Sequence, residues 1–315
     1  MANGLVWLLS ISMARLRNLS DGSESLLKKN YLIGRAPGSD LIVNQAHVSL
    51  QHACLRWTAH GWEVKDLGSL NGTRVNGKRV DQQALKEGDR VSFGESEQNW
   101  ELVDASGPEL MVVSQDGAIT LTADNGILGV PRADDPRASI YRNSKGSWVL
   151  ERADDLSALS DQQTFEVDGV RWIFHSPEAV LQTSSVAGLV PLRIQSVTLH
   201  FDVSSDEEFV ALRAECGGRI VDLGSRGHNY LLLVLARRKR ADAAANVQRS
   251  ACGWIYQDDL IRDLKVSTGQ LNLDIFRIRK QFGVLDVVDA ASIVQRRPLT
   301  KQLRLGTPHV LEQRS

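Results

Sequence analysis

Tyr31-Leu32-Ile33-Gly34-Arg35 opens a run of short motifs that continues as Ser49-Leu50-Gln51-His52, Asn71-Gly72-Thr73, Asn76-Gly77, Gly88-Asp89 and Phe93-Gly94. Between them lie short stretches of branched and aromatic residues, such as Trp62-Glu63-Val64 and Arg90-Val91-Ser92-Phe93. Apolar runs punctuated by Gly, Asn and Asp read as β-strands joined by tight turns, and Asn76-Gly77 is a strong hairpin signal. Gly72 and Gly77 are turn glycines, free to take backbone angles that other residues resist. The same texture, without a long helical period, extends to about Val180 and suggests a sandwich or barrel.

Working outward, the 315 residues are enough for two or three domains. The 42% hydrophobic and 24% charged content is that of an ordinary soluble globular protein. Three distant cysteines, Cys54, Cys216 and Cys252, argue against a disulfide framework and against paired zinc-ligand spacing, and fit a reducing compartment. Leu5–Ile11 is apolar but too short to span a bilayer, and it lacks a basic flank. It reads as an opening β-strand, and the expected location is the cytoplasm.

The ordered motif set resembles the forkhead-associated (FHA) family over roughly Leu5–Val103. The resemblance implies an all-β sandwich over residues 1–106 that binds phosphothreonine on another protein through loops at one end. Arg35, Ser49 and Asn71 occupy the family's phosphothreonine-binding positions, while Gly34, His52, Gly72, Thr73, Asn76 and Gly77 carry its structural motif. The chemistry suits the residue types. A phosphothreonine presents a dianion with three acceptor oxygens. Arg35 offers a planar fork of donors, Ser49 a hydroxyl, and Asn71 both a donor and an acceptor for peptide main chain. His52 resembles the family's buried histidine and is expected to tie loops together rather than catalyse. Leu50 and Leu70 depart from the common pattern, because polar residues often occupy those positions.

Residues 107–182 form a second β-rich stretch that echoes the first. Ser20-Asp21-Gly22 before Tyr31–Arg35 is matched by Gln115-Asp116-Gly117 before Gly126-Ile127-Leu128-Gly129-Val130. This stretch reads either as a degenerate FHA-like copy or as an unrelated connector. Val130 stands where the first unit has its arginine, so no phosphate site is expected there.

From Ser196 the texture changes. Strands over His200–Val203, Phe209–Arg213 and Arg219–Leu223 precede helical spacing over His228–Arg240, Tyr256–Leu264 and Ser267–Phe282. Two strands around Pro298 follow. This order over residues 196–308 resembles the α+β winged-helix effector domain of bacterial response regulators of the OmpR type. Leu271, Ile275, Ile278 and Phe282 should face a core. Gln270, Asn272, Arg277, Arg279 and Lys280 lie largely off that stripe and are candidates for a DNA groove. Arg296, Arg297, Lys301 and Arg304 are candidates for phosphate or minor-groove contact. Arg237-Arg238-Lys239-Arg240 reads as an exposed helix end. His228–Gly306 carries 14 basic and 7 acidic residues, a local excess hidden by the whole-chain net charge of −1. Asp274 within the third helix weighs against a DNA backbone contact.

No phosphate-cradling Gly-Lys-Ser/Thr loop, nucleophile elbow, kinase motif set or metal-ligand spacing occurs. The chain is therefore expected to be a multidomain binder, not an enzyme, with no cofactor and no metal. Two readings stand. One is a phosphothreonine-dependent, DNA-binding transcriptional regulator acting downstream of a Ser/Thr kinase, with double-stranded DNA and a phosphorylated kinase or substrate as partners. The other is an adaptor or scaffold whose winged helix docks a protein.

Overall fold

In the computed structural model, which describes residues 13–95, 99–177, 192–285 and 287–314, the alternating pattern of the first hundred residues becomes eleven strands in two sheets. The strand expected at Leu5–Ile11 lies outside the described residues. The six-stranded sheet runs, in order, Glu24–Leu26, Arg15–Asn18, Trp100–Asp104, Arg90–Phe93, Thr73–Val75 and Lys78–Val80. The five-stranded sheet runs Leu41–Ile42, Asn30–Gly34, Ala53–Thr58, Gly61–Asp66 and Gln82–Ala84. Ile33, Leu55, Trp62 and Val64 from one sheet pack with Leu16, Val91, Phe93 and Leu102 from the other in one buried cluster. Inward residues alternate with less buried ones along strands such as Gly61–Asp66 and Trp100–Asp104, as a two-sheet sandwich requires. The Asn76-Gly77 hairpin forms as read, with both residues at positive φ and Val75 paired to Lys78.

The chain divides into two compact units, Met1–Leu110 with His175–Ser184, and Met111–Phe174 with Ser185–Ser315. The break expected at Gly107-Pro108 is close to the first division. The stretches 107–182 and 196–308 fall largely within the second of these units.

Within that body, the first stretch forms two four-stranded sheets. One contains Thr120–Thr122, Met111–Ser114, Val170–His175 and Thr164–Val167, and the other Ile127–Val130, Ala138–Arg142, Trp148–Arg152 and Leu156–Ala158. The sequence echo falls on matching features. Gly22 and Gly117 both turn at positive φ, and Gly34 and Gly129 both lie in strands.

The later stretch has three helices, α1 (Asn229–Ala244), α2 (Gln257–Leu264) and α3 (Thr268–Phe282). Before them stand strands Thr198–Val203, Val210–Cys216 and Arg219–Ser225, and after them a hairpin of Val294–Arg297 and Gln302–Leu305. These elements match the order read from the sequence. Ser267 caps α3 by accepting the Gln270 amide, and Leu271, Ile275, Ile278 and Phe282 are buried as their spacing predicts. Two differences matter. Helix α1 continues to Ala244, four residues past the expected end, so the basic run lies inside the helix. A further strand, His309–Arg314, lies beyond the expected boundary at 308 and pairs in parallel with Thr198–Val203. Its short, largely polar sequence carries little strand signal on its own; the neighbouring edge supplies its hydrogen bonds.

Helix α3 also faces the sheet formed by 127–158. A side chain at Gly129 would come 3.1 Å from the Phe276 ring, so the missing Cβ admits that ring. Phe276 is buried in one cluster with Ile127, Tyr141 and Val149. No helix among the described residues is long and apolar enough to cross a membrane.

Candidate functional site

Gly34 ends its strand where the backbone of Leu50 passes so close that a Cβ would stand 2.2 Å from the Leu50 carbonyl oxygen. That close approach lets the Arg35 amide donate to Ser49 O at 2.9 Å and the Ala36 amide to Leu50 O at 3.0 Å. Arg35 and Ser49 are thereby joined through the main chain although 14 residues apart. The Arg35 Nε donates to Val48 O at 3.3 Å. The residue is exposed, and its two terminal nitrogens take no acceptor among the described residues.

The Ser49 hydroxyl accepts the Leu70 amide at 3.2 Å, which occupies one lone pair and leaves its proton to donate outward. Asn71 donates through Nδ2 to His47 O at 2.8 Å, leaving Oδ1 as an acceptor. Arg35 and Ser49 are thus bonded through the main chain and Asn71 is anchored on His47 O, each of the three with a polar group unspent.

Beneath them is His52, fully buried. Its Nδ1 accepts the Ser49 amide at 3.1 Å, which fixes the proton on Nε2, and Nε2 donates to Gly72 O at 3.2 Å. One imidazole therefore ties the Ser49 loop to the Asn71 loop. Burial pushes its pKa down and keeps it neutral. Gly72 sits at φ +75°. Thr73, also buried, donates to Asp66 Oδ2 at 2.7 Å. Asn76 and Gly77 stand apart in the hairpin turn, where Asn76 holds the Arg90 amide at 2.9 Å.

Asp66 was not singled out by the sequence reading, yet it organises the Asn71 loop. Its carboxylate accepts the Gly68 and Ser69 amides at 2.9 and 2.8 Å, and the hydroxyls of Ser69 and Thr73 at 2.6 and 2.7 Å. Burial alone would raise its pKa, but these donors outweigh burial and hold it below the ordinary carboxylate value. The legible signal was Asp66-Leu67-Gly68-Ser69, the local spacing of a side chain that bonds the backbone two and three residues on. Leu50 and Leu70 are 58% and 84% exposed, and border this cluster with apolar surface.

Residues 31–94 match the model of the FHA domain family. They are an FHA domain. Over 75 residues the chain is 44% identical to the ABC transporter ATP-binding/permease protein Rv1747 of Mycobacterium tuberculosis, a match covering 24% of this chain and 8% of that protein. Over 76 residues it is 41% identical to the glycogen accumulation regulator GarA of Mycolicibacterium smegmatis, covering 24% of this chain and 46% of that one. The chain thus spans less than half the length of these relatives. The solved structure of Mycobacterium tuberculosis EmbR in complex with a low affinity phosphopeptide is 26% identical, over 30% of this chain and 25% of that one, with a TM-score of 0.28. The family match stops at Gly94, well before the C-terminal helices.

Outside the FHA domain, the nine residues expected to touch DNA do not form an open basic face. Arg279 is 2% exposed, and its guanidinium grips Glu151 through two bonds of 2.9 and 3.1 Å. It also donates to Val294 O at 2.9 Å and stacks on the Tyr141 ring at 4.4 Å. The Arg296 side chain, 4% exposed, lies 3.6 Å from the same carboxylate and donates to Asn272 Oδ1 at 2.8 Å. The Tyr141 hydroxyl donates to Glu151 as well. Burial would raise the Glu151 pKa, but Arg279 and Arg296 outweigh it and hold it below the ordinary value.

For Arg279 and Arg296 the expectation of groove contact is therefore corrected, since Glu151 of the 127–158 sheet holds both, and the Asn272 oxygen is taken up by Arg296. Lys280 pairs with Asp124, and Lys301 lies 3.4 Å from Asp154. Gln270 donates to Asp274 at 2.8 Å. Arg297 and Arg304 both stack on one ring, Trp254, at 3.9 and 4.5 Å. Arg277 alone of the α3 candidates is exposed. In the run Arg237–Arg240, Arg238 and Arg240 are exposed, but three of the four cations are in ion pairs. Arg237 and Arg240 pair with Glu312, Arg237 also with Glu207, and Arg238 with Asp242.

Two outcomes follow from these buried groups. Glu151→Ala strands two buried guanidinium groups and should destabilise the second unit by about 3–5 kcal/mol in denaturant unfolding; a loss under about 1 kcal/mol would contradict the burial of the pair. In the FHA domain, the His52 pKa is depressed on folding, so its contribution is complete above the unfolded value of about 6.5 and is lost as pH falls below it. Thermal unfolding should show that loss as pH falls below about 6.5, and a His52→Asn variant, which cannot titrate, should lack it.

Proposed function

We propose that this protein is a phosphothreonine-dependent signalling adaptor that docks on a protein phosphorylated by a Ser/Thr kinase. The observation that carries the reading is the arrangement of Arg35, Ser49 and Asn71 around the buried His52. The Arg35 terminal nitrogens and the Ser49 proton are free to meet phosphate oxygens, and Asn71 Oδ1 is free to accept a peptide amide. Charge-assisted bonds to a dianion are the strong class of hydrogen bond. The rigid tie through His52 means that little ordering is spent at binding. The similarity of this domain to GarA, a regulator, accords with a signalling role. Binding, not catalysis, is the activity this arrangement supports.

The hairpin, three-helix, hairpin order supports reading residues 196–308 as a winged helix. Its third helix, however, packs the flank that carries Phe276 and Arg279 against the 127–158 sheet. That burial favours the adaptor over the DNA-binding regulator, because Arg279 and Arg296 already hold a carboxylate where a regulator would need them facing phosphate. The middle stretch then acts as the resident partner of the helix, and recruitment through the FHA domain suffices as the signalling event.

Phosphothreonine peptides and their unphosphorylated counterparts, titrated against the full chain, test the reading. Phosphate-dependent binding should weaken at least about 30-fold in Arg35→Ala, as expected when one partner of a charge pair worth about 2 kcal/mol or more is removed. Ser49→Ala should cost about tenfold. Binding indifferent to phosphate, or retained in Arg35→Ala, would overturn the assignment. Duplex DNA at low salt should not bind with a steep salt slope; if it does, the regulator reading replaces the adaptor.

A further inference from the structure

Four cations converge on a cavity that plays no part in the FHA site. It is about 440 Å³ and lies among the C-terminal half of α1, the following 245–253 segment, the closing hairpin and Gly306–Val310. Lys239, Arg240, Arg249 and Arg304 line it, together with Gln195, Gln295 and an apolar wall that includes Ala243, Val247 and Val310. No Asp or Glu is among the lining residues.

Most of this charge is uncompensated. Arg240 is held by Glu312 at 3.0 Å, just outside the lining. The Lys239 ammonium donates to Leu305 O at 2.8 Å, a neutral acceptor. Arg304 Nε donates to Gln295 Oε1 at 2.7 Å, also neutral, while its guanidinium shares the Trp254 ring with Arg297. The Arg249 side chain has neither hydrogen bond nor ion pair to any described residue. Burial first, then the charges of Arg304 and Arg249, push the Lys239 pKa down to about 8. Clustered cations on a concave, partly desolvated wall focus a positive potential and repel one another until an anion arrives. An exposed basic helix face relieves its repulsion with solvent, but the half-buried Lys239 cannot do so fully.

We propose that this cavity binds an organic phosphate: a small molecule whose phosphate groups meet Lys239, Arg249 and Arg304 and whose less polar part lies against Ala243, Val247 and Val310. The volume is within the range of about 300–1,000 Å³ that small-molecule sites occupy. Two glutamine side chains supply the neutral hydrogen bonding that would orient the ligand. The site is independent of the phosphothreonine reading, since it shares no residue with the Arg35 cluster.

Calorimetric titration of the full chain with ATP and with pyrophosphate in magnesium-free buffer tests the proposal, with adenosine as the uncharged control. An Arg35→Ala variant removes any contribution from the FHA pocket. Wild type and Arg35→Ala should bind ATP equally and saturably, and pyrophosphate more weakly; adenosine should not bind. Arg249→Gln, at an exposed position with no partner to lose, should weaken binding about tenfold with an unchanged melting temperature in the free protein, and Arg304→Gln should weaken it by at least as much. Absence of saturable binding to the folded wild type would overturn the proposal. So would binding that disappears in Arg35→Ala and survives in Arg249→Gln.

Discussion

Taking the Glu151 carboxylate out of water costs several kcal/mol, and the cost is met only because Arg279 and Arg296 arrive from elements far along the chain. Each of the three would be a liability without the others. Once they meet, the helix that carries Arg279 and the hairpin strand that carries Arg296 are held to the strand that carries Glu151. Phe276 seated over Gly129 adds apolar contact beside the polar cluster. This constraint makes residues 111–174 and 185–315 one body, and it spends the residues that a DNA-binding helix would present.

The FHA domain uses a similar economy on a smaller scale. His52 and Asp66 are buried polar groups whose hydrogen-bonding capacity is directed at loop backbone and at loop hydroxyls. Because they satisfy the loops from beneath, Arg35, Ser49 and Asn71 keep unspent donors and acceptors on the outside. Both cases follow the same rule: buried polar groups must be paired, and the choice of partner decides which groups remain for a ligand. In the FHA domain the pairing leaves Arg35, Ser49 and Asn71 with open polar groups, whereas in the C-terminal body Arg279 and Arg296 are themselves taken up by Glu151.

The FHA site was legible because its requirements are local. A close backbone approach demands Gly34, a positive-φ turn demands Gly72, and an imidazole with two backbone partners demands a histidine three residues after Ser49. Asp66 was legible in the same way, through its spacing to Gly68, Ser69 and Thr73, but was passed over because a single aspartate among turn residues stands out little. The apolar stripe of α3 was also legible, since a 3.6-residue period reports which face is buried. That period could not report that the adjoining flank with Phe276 and Arg279 is buried too. Arg279 and Arg296 look like surface cations in sequence because charge is usually solvated.

The sequence by itself determined the FHA sandwich, the local motifs that bring Arg35, Ser49 and Asn71 to its loops and the order of the C-terminal elements, since turn chemistry, strand alternation and helical period act over a few residues. Tertiary structure alone decided that the 127–158 sheet covers α3, that the strand His309–Arg314 joins the edge of Thr198–Val203, and that Lys239, Arg249 and Arg304 surround one cavity. Those outcomes rest on charges and edges brought together across tens to more than a hundred residues. Desolvation, which sets their energy, exists only once the chain has folded.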